Sequence, residues 1–119
     1  MRIELPFPPK ELSPNARVHH MTRYRKGRFY KEQCEWITIA FPLLMAVRKR
    51  LAASNDLIPV TMTIYKPSRR GDDDNIEAAF KSGRDGVAKA LKVDDSRFRV
   101  TRIVAPETKK GGLIVLEFN

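Results

Sequence analysis

The chain has 119 residues, enough for one domain with a single modest core and not for two. Its 42% hydrophobic content excludes a disordered chain, and 23 Lys plus Arg against 14 Asp plus Glu, a net charge of +9, points to a polyanionic partner. The lone cysteine, Cys34, excludes a disulfide framework and a thiolate zinc site, and suits a reducing, cytoplasmic setting.

Charge alone does not separate nucleic acid from an anionic membrane surface. The N-terminus is too short and too proline-rich for the apolar core of a signal peptide. The longest apolar run, residues 39–47, is far short of a membrane span and is broken by Pro42. No repeat or low-complexity segment divides the chain, so residues 1–119 read as one domain with no membrane segment.

Residues 2–7 alternate and predict a short strand, which Pro8 and Pro9 end because neither can donate to a ladder. Residues 10–29 keep no consistent period. They carry Arg17, Arg23, Arg25, Lys26 and Arg28 with Tyr24, Phe29 and Tyr30 interleaved, a composition that suits either a surface tracking a nucleic-acid backbone or a solvated loop. The adjacent His19 and His20 lack a third ligand at usable spacing. Residues 30–53 are periodic as a helix through Trp36, Ile37, Ala40, Leu44, Val47 and Leu51, with a kink expected at Pro42 and the aromatic and methionine residues expected in the core. Residues 57–66 are β-branched and alternating, a strand closed by Pro67.

The stretch Arg69-Arg70-Gly71-Asp72-Asp73-Asp74-Asn75 follows at once. Adjacent carboxylates repel one another, and a divalent cation neutralises such a cluster best; a solvated acidic turn capping a helix is the other reading. Residues 75–91 predict one helix, with Asp74 as N-cap and Glu77 completing a capping box. On a helical wheel Ile76, Phe80, Gly83, Val87 and Leu91 form the buried face, while Lys81 and Asp85 lie within about 20° of Asp74 on the wet face. Asp94 and Asp95 stand in the turn after it. Residues 98–106 and 113–118 predict two further strands paired as an antiparallel hairpin. The order β-loop-α-β-α-β-β implies an α+β domain, two main helices on one face of a small mixed sheet.

The two acid pairs flank a helix of about 17 residues, so its ends lie roughly 25 Å apart. They meet only if the helix is shorter, as Gly83 and Gly86 allow, if the turn folds back, or if a second subunit supplies one pair. Once together, carboxylates alone suit Mg²⁺ or Mn²⁺ rather than zinc. On a basic surface that is the apparatus of phosphodiester hydrolysis, with Lys81 or Arg70 placed to stabilise developing charge. The phosphate-loop signature of NTPases and the serine elbow of acyl transfer are both missing.

Taken together, Arg69-Arg70, Asp72 and Asp74-Asn75, a helix carrying Lys81 and Asp85, and Asp94-Asp95 resemble the RusA family of Holliday-junction resolvases. Leu5-Pro6-Phe7-Pro8-Pro9 with Asn15 and Arg17 is similar to that family's N-terminal segment, and Thr108-Lys109-Lys110-Gly111-Gly112 to its C-terminal turn, so the likeness covers most of the chain. The resemblance implies a Mg²⁺-dependent homodimer, often borne by phages or prophages, with no nucleotide cofactor. Such enzymes cut four-way DNA junctions symmetrically in recombination and repair. Carried over, Asp72, Asp74 and Asp95 would bind metal with Asp94 as neighbour or auxiliary, Lys81 would be the catalytic lysine, and Arg69 or Arg70 would contact phosphate. One departure stands out. The family's lysine follows the Asp-Asn pair by about three residues, where this chain has Ala78; Lys81 comes about one turn, roughly 5 Å, later. Two alternatives remain: a related nuclease for other branched or flap DNA, and a non-catalytic basic DNA-binding or replication-accessory protein whose aspartates only cap a helix.

Overall fold

A computed structural model describes residues 1–118. Alternation builds the sheet. Ile3 and Leu5 of β1 (Arg2–Leu5), Ile58, Val60, Met62 and Ile64 of β2 (Ile58–Tyr65), and Ile114, Leu116 and Phe118 of β4 (Leu113–Phe118) share one face and are at most 5% exposed. Four helices cover that face: α1 (His20–Ile39), α2 (Leu44–Ala52), α3 (Asp73–Ala79) and α4 (Lys81–Leu91). The chain is therefore α+β with a mixed four-stranded sheet, each of the two expected helical regions being divided in two.

The expected hairpin of the last two strands does not form. The sheet order is β1-β4-β2-β3; β4 runs antiparallel between β1 and β2, and β3 (Phe98–Val104) lies parallel to β2 at the edge. The reason is the crossover through α3 and α4, which returns the chain parallel beside β2. Strand character agrees. β4 also buries Val115, on its other face, to 2%, which suits a central strand, whereas Arg99 and Arg102 suit β3 to an edge.

α1 begins well before residue 30, so half of the segment expected as a loop is α-helix. His19 caps it, its Nδ1 accepting from the Met21 amide at 3.2 Å. The period was hidden because the buried seam uses Tyr30, Cys34 and Thr38, with Gly27 a turn before, rather than a run of large aliphatics. Trp36 and Met45, expected inside, are 69% and 71% exposed, while Leu44, Val47 and Leu51 are buried as expected. Pro42 sits in the break between α1 and α2.

The helix expected over 75–91 starts two residues earlier and breaks at Phe80. Its N-cap is Asp72 and not Asp74: Asp72 Oδ1 accepts from the amides of Asp74 at 2.8 Å and Asn75 at 3.4 Å. Tertiary packing accounts for the break. Phe80 is 3% exposed and stands edge-to-face with Tyr30 at 6.3 Å, burial worth about 1.5–3 kcal/mol. Gly83 and Gly86 then let α4 lie directly against α1: a Cβ at Gly86 would stand 2.2 Å from the Lys31 carbonyl oxygen. Among the described residues, no helix is long and apolar enough to cross a membrane.

Candidate active site

Because the helix turns at Phe80, residues from its two ends reach one place. A cleft of about 340 Å³ between α3, α4 and the edge of the sheet is lined by Asp74, Glu77, Lys81, Arg84 and Asp95 over an apolar floor that includes Met62, Phe98 and Val100. Asp74, Asp95 and Lys81, three of the expected catalytic residues, therefore share a cleft.

The other expected acids do not join it. Asp72 spends its Oδ1 on the start of α3 and lines a separate groove with Phe7, Asn15 and Gly71. Asp94 caps the short 3-10 turn at Asp95–Arg97, accepting from the Ser96 amide at 2.9 Å, and that bond holds its carboxyl below the usual range. Asp73, expected as a spacer, stands 2.7 Å from Lys66 Nζ, an ion pair whose angle misses hydrogen-bond geometry.

Three residues that the sequence reading did not assign complete the surroundings. Arg102 lies opposite Met62 in the β2–β3 register, on the helix-covered face of the sheet. Its Nη1 reaches Asp74 Oδ1 at 2.8 Å and Glu77 Oε2 at 2.9 Å, so Glu77 serves this cluster rather than a capping box. Chiefly through the bond to Asp74, the guanidinium is held above its ordinary pKa. Arg84 braces the far end: Nη2 donates to the carbonyls of Asp95 at 3.1 Å and Phe98 at 3.4 Å, with Nε 3.9 Å from Asp95 Oδ2. Asp85 is held above the usual carboxylate range, first by burial, then by a hydrogen bond to the Asp95 carboxyl and by its negative charge; Lys31 and Lys81 pull the other way. The inward register of position 102 was the available signal for Arg102, since Phe98, Val100 and Val104 share its face. For Asp85 the wheel had already placed it beside Lys81.

The donor chemistry fits a hard divalent cation. Carboxylate oxygens are the ligands such a cation takes, and Asp85 and Asp95 are close enough for their carboxyls to act on one another. Among the described residues, no group of three or more His, Cys, Asp or Glu side chains is gathered to hold a metal ion. Mg²⁺ is commonly held by only one or two carboxylates together with water and phosphate oxygens, so the Asp85–Asp95 pair is of the right size.

The basic residues expected on DNA are distributed unevenly. Arg17, Arg25, Arg69 and Arg70 are exposed. Lys26 stands 3.7 Å from Glu11, and Arg28 stands 3.5 Å from Glu32. Arg23 is turned inward, its guanidinium donating to the carbonyls of Ala16 at 2.8 Å and Ser13 at 3.2 Å, where it ties the preceding loop to α1.

No family model matches this chain. It is similar to an uncharacterized protein of Xylella fastidiosa, 36% identical over 122 residues that cover 96% of this chain and 72% of that protein.

Proposed function

The chain belongs to the family of that uncharacterized Xylella fastidiosa protein, and we propose that it is a metal-dependent endodeoxyribonuclease of the RusA type, acting as a pair of copies on four-way or otherwise branched DNA. The observation that carries the reading is the convergence of Asp74, Lys81 and Asp95 on one cleft. The net charge of +9 supports a DNA partner. Asp74 and Asp95 of the cleft, with Asp85 beside Asp95, would hold Mg²⁺ or Mn²⁺, which when bound would supply Lewis-acid polarisation of the phosphodiester. The chain's own groups do the rest. Lys81 brings a cation to the developing negative charge. Arg84 fixes the backbone at Asp95, and Arg102 orients Asp74 and Glu77 from the sheet.

A second reading has its own support: Asp72 and Asp94 both cap, and Asp74 is bound to Arg102, as in a protein that binds DNA without cutting it. Synthetic four-way junctions separate the two. In Mg²⁺, Asp74→Asn and Asp95→Asn should abolish cleavage, while junction binding in Ca²⁺ stays at or above the wild-type level. Lys81→Ala should lower the cleavage rate on the order of a hundredfold with binding retained. A wild-type protein that binds junctions and never cuts them in Mg²⁺ or Mn²⁺ leaves only the second reading.

A further inference from the structure

Beside that cleft lies a second opening, lined by cations and by no carboxylate. Tyr24, Arg28 and Lys31 of α1 face Ala78, Lys81 and Ser82 at the α3–α4 break across a groove of about 490 Å³. Ala78 and Lys81 line the acidic cleft as well, so groove and cleft abut along the break. The positive charge here is weakly compensated. Lys31 and Lys81 enter no ion pair among the described residues, and the Arg28–Glu32 pair is exposed, where such pairs hold little. Tyr24 is 62% exposed at the same groove.

We propose that this groove is a second phosphate subsite, holding the backbone of the DNA strand next to the linkage that lies over the acidic cleft, with Tyr24 offering its ring to a base. The inference rests on the nuclease reading above for the strand's path into the cleft. The three carboxylates of the cleft are matched by Lys81, Arg84 and Arg102, so the cleft offers a polyanion little net attraction, and the cations at the break supply the anchor a strand crossing both needs. The exposed aromatic ring among cations selects nucleic acid, because every base has a face to stack. It also gives a role to the position of Lys81, which lines both openings where they meet and serves both.

The test is DNA binding in EDTA, where no cleavage interferes, followed by fluorescence anisotropy with a labelled single strand and a labelled four-way junction over a range of salt. Lys31→Gln should weaken binding about threefold to tenfold near 0.1 M salt and reduce the log–log salt slope by about 0.9 on the junction and about 0.7 on the single strand. Tyr24→Ala should weaken the single strand about tenfold and leave the slope unchanged. Lys49→Gln, an exposed lysine on α2 outside the groove, should change neither. If Lys31→Gln melts early, Arg28→Gln on the exposed side of α1 carries the same prediction. An unchanged slope in a protein that does cut junctions overturns the groove and leaves the nuclease reading standing. A reduced slope in a protein that cuts nothing supports the groove and overturns the nuclease reading.

Discussion

A carboxylate at the head of a helix can serve the backbone or a ligand, and Asp72 serves the backbone, accepting from two amides of α3. Asn caps as well as Asp does, and Ala does not. Asp72→Asn should keep wild-type stability in urea, while Asp72→Ala loses about 1 kcal/mol; equal losses would show that the cap is not what holds α3. Cys34 gives a second prediction. It is fully buried, and burial pushes its thiol from 9.0 up to about 12. Tyr30 beside it is also raised, by burial first and then by Cys34. Between the unfolded and folded values only the unfolded chain gives up the thiol proton, so this contribution is constant below about pH 9 and declines as pH rises toward 12. Urea midpoints at pH 8, 9.5 and 10.5 should fall in that order, and Cys34→Ala should delay the fall to about pH 10, where Tyr30 begins. Of the residues that line the cleft, Asp74, Asp95 and Lys81 were singled out by type, spacing and the family resemblance. Arg102 was written into the alternation of β3 but only its register with β2 says what it faces.

At the scale of elements, α1 and α4 meet through glycine, and that contact is testable. In an open helix Gly→Ala gains up to about 1 kcal/mol. At Gly86 the added methyl would stand 2.2 Å from the Lys31 carbonyl oxygen, which is backbone and cannot swing away. Gly86→Ala should therefore destabilise by about 2 kcal/mol or more, read as a lowered melting temperature; a rise would mean that α1 and α4 separate freely. The same contact explains what the sequence concealed. Residues 75–91 keep one helical period from end to end; Gly83 and Gly86 weaken it locally, but the break falls before them, at Phe80. Phe80 turns the chain because Tyr30 and the α1 seam, far off in sequence, require it there. The strands were legible from alternation, which is local. Their neighbours were not, since β3 and β4 are adjacent in the chain yet each pairs elsewhere.

At the scale of the molecule, a symmetric cut through two strands needs two sites, and a two-fold pair of identical chains supplies them. Light scattering should report twice the 13.7 kDa of one chain at assay concentrations, and a clean monomer would remove the paired-incision part of the reading. On that reading two copies carry twice +9, and junction affinity should collapse steeply with salt. The placing of β4 has a consequence in time. Each of β1 and β2 finds an antiparallel neighbour in it, and the Met1 amino group reaches the Phe118 carbonyl across a separation of 117 residues. The sheet therefore closes through its most distant pairing in sequence, the kind of loop closure that slows folding. During synthesis β1 waits without its strand partner until residues 113–118 are made, so the sheet is completed last.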